Sequence, residues 1–92
     1  MAVTVKLPIQ LRDATGGQAE VSGEGATVGE VLESLYGQYA PLRDRLTDDG
    51  GGLRRFVNVY VGGEDIRFLE GLETPVEDGA EVNVLPAVAG GR

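Results

Sequence analysis

Ninety-two residues make one small domain and not two, and 41% hydrophobic with 25% charged residues is a globular balance. Fifteen acidic against eight basic residues leave a net charge of −7, which disfavours nucleic acid and anionic membranes and suits a partner with a basic docking face. The absence of cysteine and histidine excludes disulfides, Cys/His metal sites and a cysteine nucleophile, and removes the commonest general base. No apolar run approaches the ~18 residues of a membrane span, and the N-terminus has no charged region followed by an apolar one. A cytoplasmic protein is expected.

In chain order, residues 3–7 (Val-Thr-Val-Lys-Leu) alternate apolar and polar with the period of a half-buried strand. Pro8 weakens ladder pairing, and residues 9–11 are expected to continue the strand past a bulge or edge position. Residues 13–17 (Asp-Ala-Thr-Gly-Gly) form a turn cluster, and residues 18–22 a shorter, more polar strand paired with the first. Thr27 with Glu30 three residues on is a capping box that opens a helix. Val28, Val31, Leu32, Leu35, Tyr36 and Tyr39 give that helix one apolar stripe, which must pack on a sheet.

Residues 41–46 predict one short helical turn carrying Leu42 and Leu46, and residues 47–52 (Thr-Asp-Asp-Gly-Gly-Gly) the most flexible internal loop. Residues 56–61 (Phe-Val-Asn-Val-Tyr-Val) read as a strong strand. Gly62-Gly63 signals a hairpin whose return arm holds Ile66 and Phe68. Phe56, Tyr60 and Phe68 are assigned to the core by pattern. Leu72 anchors a connecting segment, residues 77–80 form a tight turn, and residues 81–85 form the closing strand, which Pro86 stops. Hairpin, crossover helix and further strands imply an α+β domain with one main helix across a mixed sheet. That is the β-grasp arrangement, in which the first and last strands are central, paired and parallel. The domain is assigned to residues 1–86 and a flexible tail to residues 87–92.

The tail is Ala87-Val88-Ala89-Gly90-Gly91-Arg92. Two residues without Cβ can thread a channel too narrow for others, and the five residues 87–91 reach roughly 17 Å when extended. An end of this composition is as readily frayed as functional.

The run Arg55-Phe56-Val57-Asn58-Val59-Tyr60-Val61, the Gly62-Gly63 hairpin, Glu77-Asp78-Gly79, the strand at 82–85 and Pro86-Ala87-Val88-Ala89-Gly90-Gly91 together resemble the MoaD/ThiS family of ubiquitin-like sulfur carriers. The closest branch is that of actinobacterial carriers coupled to cysteine synthesis. The resemblance covers nearly the whole chain and is most distinctive over the last forty residues. It implies a carrier, not an enzyme, that binds no cofactor itself. An ATP-using adenylating enzyme of the ubiquitin-activating type activates its terminal glycine, a sulfur donor converts the adenylate to a thiocarboxylate, and a sulfur-accepting synthase takes the sulfur. Carried onto this chain, the reactive carboxylate is that of Gly91, and Pro86, Ala87, Val88, Ala89 and Gly90 form the segment that enters partners. A chain without cysteine has no thiol to hold a persulfide, which agrees with a carboxylate handle.

Arg92 departs from the pattern, because an activated family member ends at the second glycine. Three origins stay open for it: a precursor residue removed by a metalloprotease of the kind that trims related proteins, a cloning remnant, or a residue the carrier tolerates. Two other functions compete, a protein modifier conjugated through Gly91 and a non-catalytic β-grasp binding module; fold alone does not separate them.

Overall fold

The computed structural model describes residues 2–50, 52–54 and 57–86, with Pro86 described for its backbone alone. Its strands are β1 (Ala2–Lys6), β2 (Glu20–Glu24), β3 (Val57–Val61), β4 (Glu64–Asp65) and β5 (Glu81–Pro86); its helices are α1 (Val28–Gln38) and α2 (Ala40–Leu46). The strands form one mixed sheet in the order β2-β1-β5-β3-β4. β1 pairs antiparallel with β2 and parallel with β5, and β3 is antiparallel to both β5 and β4. The first and last strands are thus adjacent and parallel, and β5 is central, as the sequence pattern predicts.

Alternation along the strands sorts the sheet into two faces. Val3 and Val5 of β1, Val57 and Val59 of β3, and Val82 and Val84 of β5 are buried on one face. Across them lies the apolar stripe of α1, with Val28, Val31, Leu32, Leu35 and Tyr36 buried and Tyr39 partly so. α2 closes the core with fully buried Leu42 and Leu46.

α1 begins where the sequence says. The Glu30 backbone N–H donates to Thr27 Oγ1 at 3.2 Å, and Glu30 Oε1 accepts in return from the backbone N–H of Ala26 at 2.8 Å. The return bond reaches one residue further back than a capping box predicts. The segment before the closing strand clamps the same helix end: Val28 N–H donates to the Thr74 carbonyl and Val76 N–H to the Ala26 carbonyl. Gly25 lies at this junction. A Cβ on it would fall 2.5 Å from Glu30 Cβ and 2.8 Å from Val31 N, so only glycine fits. The helix also covers the outer edge of β2: Glu24 N–H donates to Ser34 Oγ, and Gln38 Nε2 to the Ser22 carbonyl. That edge is therefore not free to pair with another chain.

Expectations are corrected in two segments. Residues 9–11 do not extend the first strand; Ile9–Thr15 is a 3₁₀ turn with Leu11, Ala14 and Thr15 buried, closed by Gly16 at φ 70°. Pro8 removes the N–H that a continuing ladder needs, and the buried residues recur about every third position, the period of a 3₁₀ turn.

The return arm after Gly62-Gly63 is only two residues long. The hairpin itself forms as expected, with φ of 61° and 85° at the two glycines. Asp65 then ends the strand: its carboxylate accepts from the Arg67 backbone N–H at 2.8 Å and pairs with the Arg67 guanidinium. The chain turns into a 3₁₀ segment, Ile66–Phe68, which buries Ile66 and leaves Phe68 85% exposed. Phe68 is therefore not core; Tyr60 is half-buried, and Phe56 lies outside the described residues.

Two measurements check this account. Gly25→Ala should lose roughly 1–3 kcal/mol in urea titrations, since the new methyl meets backbone and the first turn of α1 must shift. Gly37→Ala, with nothing within 4 Å of its Cβ position, should instead gain roughly 0.5 kcal/mol. Arg67 holds the Asp65 carboxyl below its ordinary 3.8, chiefly through the side-chain hydrogen bond and then through the backbone one. A depressed folded-state value stabilises above the unfolded value and loses that contribution as pH falls through the folded one. Between pH 6 and pH 3 the native chain should therefore lose more stability than Asp65→Asn does.

Candidate functional site

The chain leaves the sheet from its central strand. Pro86 pairs with Val57 as the last rung between β5 and β3, one residue beyond the stop the sequence predicts. At a strand terminus the missing proline N–H affects only that rung. The other predicted site residues, Ala87, Val88, Ala89, Gly90 and Gly91, and Arg92 after them, lie outside the described residues.

Several arginines are fastened around the end of the sheet from which residues 87–92 depart. Arg12 Nε donates to the Leu7 carbonyl at 3.2 Å, Arg45 Nη1 donates to the Gln10 carbonyl at 3.1 Å while pairing with Asp13, and Arg54 Nε donates to the Asp44 carbonyl at 3.0 Å. Arg54 thus ties the loop to α2, and Arg55 lies outside the described residues. A groove of about 450 Å³, lined by Leu11, Arg45, Arg54, Val57 and Leu85 among others, opens beside the last rungs of β5. The opposite end of the sheet is acidic: Glu24, Glu64 and Glu81 stand there by register, with Glu77 and Asp78 in the turn that feeds β5. Charge thus distinguishes the two ends of the sheet.

The register also settles which side chains face away from the helices, which periodicity alone leaves undecided. Asn58 lies opposite Leu85, Tyr60 opposite Asn83, and Lys6 beside Asn83, all on the face that α1 does not cover. Leu85 is 46% exposed on this otherwise polar surface. Beside it the Arg67 guanidinium donates to Asn58 Oδ1, which positions the 3₁₀ segment that displays Phe68. The open face therefore carries Leu85, half-buried Tyr60 and a polar row, with Phe68 at its β4 margin. The sequence signal for Leu85 was present, an apolar residue in phase with Glu81 and Asn83. Phe68 had none, because its exposure follows from the turn that Asp65 imposes.

The described body offers little chemistry of its own. Among the described residues no group of three or more acidic side chains is placed to hold a metal ion. Burial, then the nearby Glu33, pushes the Tyr36 phenol up to about 12 despite Arg43 over its ring, so it stays protonated at any physiological pH. Among the described residues no helix is long and apolar enough to cross a membrane.

Comparison with known proteins agrees with this geometry. The chain matches the ThiS family over residues 5–91, so the match ends at Gly91 and leaves out Arg92. It is 50% identical over 93 aligned positions to sulfur carrier protein CysO of Mycobacterium tuberculosis, covering 99% of this chain and 100% of that protein. A chain in the crystal structure of the Amycolatopsis orientalis BexX/CysO complex superposes with a TM-score of 0.88 at 47% identity, covering 97% of this chain and 99% of that one. Small archaeal modifier protein 1 of Methanosarcina acetivorans superposes at 0.85 with 38% identity, covering 98% and 96%. The sheet order, the helix across one face and a match over nearly the whole length make this chain a member of the ThiS family of small ubiquitin-like, β-grasp sulfur carrier proteins.

Proposed function

We propose that this chain carries sulfur on the carboxyl group of Gly91 for a biosynthetic acceptor, cysteine or another sulfur-containing metabolite, after Arg92 has been removed. The family match ending at Gly91 is the observation that carries the reading. In the first step, water cleaves the Gly91–Arg92 peptide bond in the active site of a protease, which the resemblance suggests is a metalloprotease. A carboxylate oxygen of Gly91 then attacks the α-phosphorus of ATP on an adenylating enzyme, and pyrophosphate leaves. Sulfide from a donor adds to the acyl carbon, the carbon–oxygen bond to AMP breaks, and a thiocarboxylate remains. A synthase takes that sulfur. The domain, residues 1–86, is the handle and residues 87–91 are the probe: at about 3.3 Å each, five extended residues carry the carboxyl roughly 17 Å from the last sheet rung.

Arg92 blocks the chemistry by displacing the carboxylate from glycine and by adding a long charged side chain where a channel accommodates none. The open sheet face is the docking surface, with Leu85 and Phe68 as apolar contacts set among polar groups. The complex that names BexX with CysO shows that a close relative has a protein partner, and we extend partnership of that kind to this chain. Similarity to small archaeal modifier protein 1 supports a second reading, in which Gly91 joins a target amine through an amide.

Intact mass separates the readings. The chain ending at Gly91, incubated with ATP, its activating enzyme and sulfide, should show a single oxygen-to-sulfur replacement. Covalent adducts on other proteins would instead support the modifier, and an unchanged mass would refute both. The chain retaining Arg92 should stay unchanged without protease; equal activation of both forms would refute trimming. Leu85→Asp and Phe68→Ala should each lower kcat/KM for activation about tenfold with the thermal midpoint retained. An unchanged kcat/KM would place docking elsewhere.

A further inference from the structure

Lys6 is the only lysine in the sequence, against seven arginines. It stands on the open face of β1, flanked on both sides by strands: Glu20 of β2 is its register partner, and Asn83 of β5 lies beside it. Lys6 Nζ is 2.8 Å from Glu81 Oε2 and 4.0 Å from Glu20 Oε2. These two carboxylates are the titratable groups that the neighbouring strands present to it; Asn83 is neutral, and Tyr60 stands one strand further off, opposite Asn83.

A protein whose own end is activated as an acyl-adenylate is at risk from amines. The Gly91 acyl carbon of one copy would form a bond to Lys6 Nζ of another, its bond to the phosphate oxygen of AMP would break, AMP would leave, and the amine proton would pass to solvent. That step needs the amine lone pair, which an ammonium lacks. Arginine, protonated throughout the physiological range, does not compete.

We propose that Glu81 and Glu20 guard Lys6, so that the activated end of one copy is not passed to the lysine of the next. The inference rests on the carrier reading and adds to it a device that keeps the acyl group for sulfide. The geometry is matched by the electrostatics. The hydrogen bond to Glu81, then the charge of Glu81 and that of Glu20, hold Lys6 above its ordinary 10.5, against a small opposing effect of burial. A raised value keeps the proton on and the lone pair occupied.

The direct test is the acetylation rate of Lys6 by an N-hydroxysuccinimide ester at pH 8, read by peptide mass spectrometry against an acetyl-lysine amide in the same tube. Lys6 should react about two- to fivefold more slowly than the reference, the range an exposed ion pair supports. Glu81→Gln should recover most of the difference and the double variant Glu20→Gln/Glu81→Gln, which keeps the side-chain shapes, should bring it to the reference rate. A native rate equal to the reference, or a slow rate that persists in the double variant, would overturn the guard. In a second arm, the chains ending at Gly91 receive the activating enzyme and ATP without sulfide; Lys6-linked dimers should accumulate faster for the double variant and vanish with Lys6→Arg. If no adenylate forms on any chain, the carrier reading fails, while the acetylation comparison still decides the guard.

Discussion

The parallel pairing of β1 with β5 is the constraint on which the rest of this molecule depends. Parallel neighbours cannot be joined by a tight turn, so everything between them, from Leu7 to Ala80, is connection. That connection supplies the antiparallel strands on both sides, and it lays α1 and α2 over a single face. One face of the sheet becomes core and the other stays open. Because the last strand occupies the centre, the chain departs from the middle of the sheet and not from a frayed edge. Contacts between the first and last strands also make folding wait for β5, since a long loop must close before those contacts form. The base of the terminal segment is thus set only once the whole domain is.

Local chemistry made much of this legible in advance. The start of α1 is written in Thr27 and Glu30, its buried face in the spacing of Val28, Val31, Leu32, Leu35 and Tyr36, and the β3–β4 hairpin in two adjacent glycines. What failed to show depends on partners distant in sequence. Ile9–Thr15 looks like a strand continuation over residues 9–11, yet it folds as a 3₁₀ turn that buries Leu11 and Ala14, with its Gln10 carbonyl and Asp13 held by Arg45 of α2. Phe68 looks like core because it is aromatic, yet Asp65 captures Arg67 and turns the chain so that Ile66 enters the core in its place.

The candidate site divides along the same line. The reactive part proposed for it is legible in sequence because it is made of backbone: Gly90 and Gly91 have no side chains whose placement a fold must decide. The proposed docking surface was not legible, because strand periodicity gives two faces without saying which is covered. The packing of α1 on one face decides that, and the strand registers then place each side chain on the covered or the open side. Leu85 is polar-side by parity and apolar by type, and that mismatch acquires meaning only once its face is known to be open.

A carrier also has to solve a problem that an enzyme does not, since one surface must serve partners that act in succession. Placing the exchangeable atoms on a terminal segment and the recognition surface on a rigid sheet separates the two tasks. On the proposed reading, the body can stay the same while the acyl group passes from carboxylate to adenylate to thiocarboxylate. Partners that meet one face would then distinguish their turn by the terminal atoms. The cost of such an arrangement is a reactive acyl group tethered to a surface of ordinary nucleophiles. In this chain composition and placement answer it: no cysteine, no histidine, and a single lysine set between two carboxylates. A body so poor in acceptors suits the proposed carrier, which must hold an activated carbonyl without consuming it, and leaves little on which a modifier could build chains of itself.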